Sequence, residues 1–108
     1  MTGGEYGVGC EAMREYFVYI LANAGNSVMY VGVTNDLGRR LQGHREGTAS
    51  EFTRQYKAVK LVYYERFERI EAAIGREKQL KSWRRKWKAE LVEGVNPEWR
   101  DLSVSEGW

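Results

Sequence analysis

Two short runs rich in β-branched and aromatic residues, YFVYILAN (16–23) and VMYVGVT (28–34), are separated only by Ala24-Gly25-Asn26-Ser27. Such residues suit a pleated, half-buried surface, and the four between them carry turn chemistry, so the pair predicts an antiparallel β-hairpin. Strand side chains alternate faces, so the loop length decides which of them meet. With a four-residue loop, Asn23 faces Val28, Leu21 faces Tyr30 and Tyr19 faces Gly32. Tyr19 and Tyr30 then share a face, and Gly32 leaves room on it for another backbone to approach. A three-residue loop without a bulge would separate the two tyrosines.

Downstream, Asn35 or Asp36 can cap a helix that starts near Leu37, buries Leu37 and Leu41, and ends near Glu46-Gly47. GTASEFTRQYKA (47–58) is polar and unpatterned and reads as a loop. AVKLVYYER (58–66) reads as a third strand with Val59, Leu61 and Tyr63 on one face. From Glu68 a long helix carries Ile70, Ala73, Ile74, Leu80 and Trp83 at helical spacing. A second helical stretch around Trp87, Leu91 and Val92 stops before Gly94. The order β-β-α-β-α-α, without repeats, predicts a small α/β (α+β) domain built on a three-stranded antiparallel sheet flanked by helices. The Gly-rich residues 1–15 read as a disordered leader, 16–97 as the domain and 98–108 as a C-terminal tail.

With 108 residues, 43% of them hydrophobic, the chain has material for one modest core. Its apolar runs are too short to span a bilayer, and a single cysteine, Cys10, can form neither an internal disulfide nor a Cys/His metal cage. These features predict a cytoplasmic protein with no membrane partner. The net charge of +2 hides an uneven distribution: residues 16–88 hold 15 basic and 7 acidic side chains, whereas the two ends together carry −6. A body at +8 attracts a polyanion, and nucleic acid is the commonest one in a cell, although solvated helix faces give the same count.

Arg40 and His44 are four residues apart, neighbours on one helix face beside the Leu37/Leu41 stripe, and are expected at the edge of the core facing a cleft. Arginine's planar fork suits a phosphate, although a surface arginine and a satisfied core-edge histidine fit the same spacing. Steps of three and four from Ile70, Ala73 and Ile74 land on Glu77 before reaching Leu80, which sets a carboxylate inside an apolar stripe. A buried charge needs a partner, here a metal ion, an arginine or a set of donors, or more simply a neighbouring lysine. Around Glu77 lie Arg76, Lys78, Lys81, Arg84, Arg85, Lys86 and Lys88, interrupted by Trp83 and Trp87. Part of this basic cluster suits phosphates, while the two tryptophans are expected in the core.

Together these residues resemble the GIY-YIG nuclease superfamily. Phe17-Val18-Tyr19 is similar to the first signature element, with Phe where Gly is usual, and Tyr30-Val31-Gly32 to the second, with Val for Ile. Thr34-Asn35-Asp36-Leu37, Arg40 and His44 look like the run that follows it, and Glu77 falls where the family's metal-binding glutamate is expected. The likeness covers residues 16–97, and Asn96-Pro97-Glu98-Trp99 is like the end of small bacterial stand-alone members. The chain is also similar to the catalytic N-terminal domain of UvrC, but Val33 stands where such excision-repair relatives often have Lys, so one phosphate contact is missing.

The resemblance implies hydrolysis of a phosphodiester by an in-line water, with one divalent cation, Mg²⁺ or Mn²⁺, held by Glu77. Tyr19 would take the water's proton, Arg40 would steady the charge on phosphorus, and Tyr30 and His44 would orient water or relay a proton. Gly32, Thr34, Arg39, Lys78, Lys81, Arg84, Arg85 and Asn96 are the expected nucleic-acid contacts. The implied substrate is DNA, cut according to its structure in repair or recombination, with RNA also open. A nucleic-acid binder that no longer cuts, and a protein-interaction module using the tryptophans and acidic ends, are the competing readings.

Overall fold

In the computed structural model, residues 15–108 are described, so the expected leader lies outside the described residues except for Glu15. Three antiparallel strands, β1 (Tyr16–Ala22), β2 (Met29–Thr34) and β3 (Lys60–Phe67), form a sheet in the order β2-β1-β3. The predicted register holds, with Tyr19 opposite Gly32 and Leu21 opposite Tyr30. Asn23 locks the turn: its Oδ1 accepts from the Ser27 and Val28 amides at 2.9 and 3.1 Å, and its Nδ2 donates to Ser27 Oγ at 2.8 Å. As the central strand, β1 is covered on both faces, so its sequence shows no polar alternation.

Each sheet face has its own core. On one, Val18, Ile20, Val31, Val62 and Tyr63 pack against Ala73 and Leu80 of α3 (Ile70–Ser82) and Val92 of α4 (Arg85–Val95). On the other, Tyr19, Leu21 and Leu61 pack under Leu37 and Leu41 of α1 (Leu37–Glu46). The caps of α1 are as read from sequence. Asp36 accepts from the Arg39 amide, and Gly47 closes the helix at φ 81°, a left-handed conformation that favours glycine.

Several expectations are corrected. The stretch read as a loop contains a helix, α2 (Glu51–Tyr56), capped by Ser50, whose side chain accepts from the Thr53 amide. It has fewer than two turns, too few to show a period. A register shift opposite Ile20/Leu21 pairs Ile20 with Tyr63 but Leu21 with Leu61. This bulge sends Leu61 and Tyr63 into different cores rather than onto one face. Helix α3 buries Ala73 and Leu80 but leaves Ile70 and Ile74 exposed, and Trp87 is about half exposed while only Trp83 packs at the core edge. Helix α4 runs through Gly94 to Val95. Within the expected tail, α5 (Leu102–Glu106) starts at an Asp101 cap and packs on the α1 side, with Leu102 and Trp108 against the second core.

Candidate functional site

The face of the sheet beneath α1 brings together Tyr19, Tyr30 and His44, with Arg40 exposed on the same helix as His44, while Glu77 stands on α3, which packs against the other face. Tyr19 points up from the central strand and is fully buried. A Cβ on Gly32 would lie 2.5 Å from both Cζ and Oη of Tyr19, so the glycine admits the tyrosine ring and not, as expected from sequence, an approaching backbone. Tyr30 follows on the same face of β2, half-buried, its ring 6.4 Å from that of Tyr19. His44 hangs from α1 between them, with ring separations of 5.7 Å to Tyr19 and 5.4 Å to Tyr30.

His44 is a buried residue with both ring nitrogens engaged: Nε2 is 2.9 Å from Tyr19 Oη and Nδ1 is 2.8 Å from Thr53 Oγ1. The Thr53 hydroxyl donates to the Ser50 carbonyl at 3.2 Å, so its oxygen accepts from His44 Nδ1–H. Nε2 is then bare and accepts from the Tyr19 hydroxyl. A neutral ring is what this direction of donation requires. Burial, then the Arg40 charge, lowers His44 to about 4, so the ring is neutral at physiological pH. Burial first, then the charge Tyr30 would carry as a phenolate, pushes Tyr19 well above the ordinary phenol range, while Arg40 opposes the shift. Thr53 was missed in the sequence because α2 was missed. Its visible signal was the Ser50 cap three residues before it.

Glu77 stands on α3, on the strip between buried Ala73 and Leu80. Its side chain is 15% exposed and takes Lys81 Nζ at 2.7 Å, the neighbouring-lysine partner considered from sequence. Its charge is felt at Tyr19, among the causes that raise that phenol. The helix is pinned by its next-door residue: Arg76 grips Glu65 of β3 with Nε at 3.0 Å and Nη2 at 2.9 Å, Tyr63 also donates to Glu65, and the guanidinium lies 5.2 Å from the Trp83 ring centre. This side-chain network was not read from sequence.

Among the described residues, no three His, Cys, Asp or Glu side chains cluster as a metal cage. Glu77 alone fits a hard divalent cation of the kind that takes few protein ligands and fills its remaining positions with water and phosphate oxygens. Arg40 is exposed at the mouth of the site and, with Thr34, Arg39, Gly43 and Thr48, lines a polar recess of about 680 Å³. The Thr34 hydroxyl is committed to the turn into α1, accepting from the Asp36 amide at 3.1 Å.

Other expected contacts fall elsewhere. Arg85 bonds the Asn26 carbonyl at 2.7 Å and that of Ser27, which pins the hairpin turn. Asn96 is buried and spends its amide on the Val62 and Arg100 carbonyls and the Arg100 amide, so it braces the chain after α4. Arg84 lies over Trp87, and Lys78 is exposed on α3. Tyr19 itself is too enclosed to meet a water directly in this state, and Tyr30 stands between it and the cleft.

The model of the GIY-YIG catalytic domain matches residues 15–90. A UPF0213 protein of Haloquadratum walsbyi is 33% identical over 81 residues, which is 75% of this chain and 91% of that protein. One from Bacillus pumilus is 36% identical over 85 residues, covering 79% and 86%. The solution NMR structure of a UPF0213 protein from Bacillus halodurans superposes with a TM-score of 0.53 at 29% identity, over 82% of this chain and 94% of that one. Match, fold and relatives agree: this chain belongs to the GIY-YIG catalytic domain family, a family of nucleases whose members generally use divalent metal ions.

Proposed function

We propose that this protein is a metal-dependent endonuclease that hydrolyses phosphodiester bonds in DNA in the cytoplasm, selecting substrates by structure in repair or recombination. The observation that carries this reading is the convergence of Tyr19, Tyr30 and His44 within 6.4 Å ring to ring, with the Tyr19 hydroxyl 2.9 Å from His44 Nε2. A packed core gains nothing from setting two phenols and an imidazole against one another beneath an exposed arginine.

Arg40 takes the phosphate with its fork of donors, assisted by Arg39 in the adjoining recess. Glu77 would hold Mg²⁺ or Mn²⁺ on giving up Lys81, and the ion would supply Lewis-acid polarisation of the phosphate. Tyr30, on the cleft wall, orients the attacking water. As the water oxygen bonds to phosphorus, its proton moves to the Tyr30 oxygen, the Tyr30 proton to Tyr19 and the Tyr19 proton to His44 Nε2. The opposite P–O bond breaks in line, and the leaving oxygen takes a proton from solvent in the open cleft. Phosphate bound at Arg40 offsets one of the two causes that hold His44 low, so substrate makes His44 a better acceptor.

The test is cutting of branched, nicked, single-stranded and duplex DNA by the wild-type protein with and without Mg²⁺ or Mn²⁺. Cutting that needs the metal and differs across the panel is expected. Salt-sensitive binding without cutting of any substrate would replace this reading with a binding module.

A further inference from the structure

Helix α2 sets Phe52 and Tyr56 one turn apart, 40% and 45% exposed, with ring centres 4.9 Å apart. Two large rings half in water on a six-residue helix are not needed for the core, to which α2 contributes Thr53. The inner edge of the pair continues into the reaction centre: Phe52 lies 6.0 Å from Tyr30 at an interplanar angle of 30°, and Tyr30 lies 5.4 Å from His44. A row of rings therefore runs from buried His44 to the surface. A cleft of about 260 Å³ opens beside it, with Met29, Tyr30 and Phe52 on one side and Lys81 and Lys88 on the other. The recess holding Arg39 and Arg40 is lined by polar groups and has no aromatic wall.

The two flanks of the reaction centre thus offer different chemistry, one only for phosphate and the other for a flat apolar ring with anionic groups close by. We propose that Phe52 and Tyr56 form a stacking ledge for a nucleobase turned out of its own stack, with Lys88 holding the adjacent phosphate and Lys81, engaged by Glu77 at 2.7 Å, adding its charge to the same wall. The proposal rests on the nuclease reading and deepens it by naming a substrate feature. A base inside a duplex has both faces covered by its neighbours, so the ledge favours a strand unpaired beside the bond at the reaction centre. Lys88 on the opposite wall distinguishes this occupant from an apolar protein segment, which gains little from an ammonium group beside the rings. The acidic neighbour on α2, Glu51, is held by Arg54 at 2.5 Å.

The experiment measures binding of the full chain, in EDTA so that nothing is cut, to a single-stranded oligonucleotide carrying one 2-aminopurine and to a blunt duplex of the same length. Stacking on the ledge quenches the 2-aminopurine, and Phe52→Ala and Phe52→Leu each weaken single-strand binding roughly tenfold while leaving the duplex unchanged. An abasic residue at the quenched position costs the wild type the same factor and adds nothing to either variant. Phe52→Leu keeps an apolar side chain on α2, and thermal melting confirms that it folds. Single-strand binding by Phe52→Leu equal to wild type, or an equal loss on duplex, overturns the ledge. Because the readout needs no cleavage, a protein that stacks but never cuts keeps the ledge and loses the nuclease reading. One that cuts while Phe52→Leu binds like wild type does the reverse.

Discussion

At the scale of single residues, the direction of one proton organises the site. Thr53 is fully buried, and its hydroxyl fixes which nitrogen of His44 carries hydrogen and so which one faces Tyr19. Thr53→Val keeps the shape but leaves Nδ1–H unpaired, at a cost of about 1–3 kcal/mol in denaturant unfolding. We expect it to lower kcat at least about tenfold with KM little changed, because the phosphate contacts at Arg40 are untouched. Thr53→Ser should restore both, and nitrogen chemical shifts of His44 should show the Nδ1–H tautomer in the wild type and lose it in the valine variant. Retained kcat in Thr53→Val would remove this threonine from the mechanism. Glu77 was legible in sequence because helical phase sets it between Ala73 and Leu80, whereas Thr53 was hidden by the missed helix. Trp87 was misjudged because basic residues surround it on a helix whose facing could not be fixed from spacing alone.

Among the elements, the β1–β2 hairpin was legible as a hairpin but its register only up to loop length, and the four-residue alternative is the one found. That register makes Gly32 a test of packing under Tyr19. Gly32→Ala drives a methyl into a ring held on its other side by His44, and should destabilise the fold by about 1–3 kcal/mol and break the Tyr19–His44 hydrogen bond. Unfolding curves and loss of cutting together check it, and a stable, active Gly32→Ala protein would contradict the geometry. Helices α2 and α5 escaped because short helices announce themselves through caps rather than period, here Ser50 and Asp101. The bulge that separates Leu61 from Tyr63 depends on the twist of a neighbouring strand, which local sequence does not encode. The loop length had set one tyrosine beside the other, but that Tyr30 faces the cleft and Tyr19 lies behind it follows only from α1 closing over the sheet.

For the whole molecule, the two cores on opposite sheet faces carry different loads. The α3/α4 side encloses Asn96 as a backbone brace, whereas the α1 side buries the titratable His44 and the Tyr19 hydroxyl within its packing. Stability therefore depends on pH through His44. Its folded value of about 4 lies below the ordinary 6.5, so the unfolded chain binds the extra proton. The contribution is present in full above 6.5 and is lost as pH falls toward 4, on the order of 3 kcal/mol for this almost fully enclosed group. Denaturant melts between pH 7 and 5, above most carboxylate titration, should show stability falling with pH, and His44→Gln should flatten that slope. An unchanged slope would mean the histidine is not held neutral. No helix among the described residues is long and apolar enough to cross a membrane.

In the proposed reaction Glu77 and Arg40 act from different elements, α3 and α1. Labelled DNA incubated with Mg²⁺ or Mn²⁺ and with wild type, Glu77→Ala or Arg40→Ala separates chemistry from binding. Each variant should retain its fold and cut at least about a hundredfold more slowly, Glu77→Ala with binding measured in EDTA little changed. Cutting by both variants at the wild-type rate would contradict the assignment of this site.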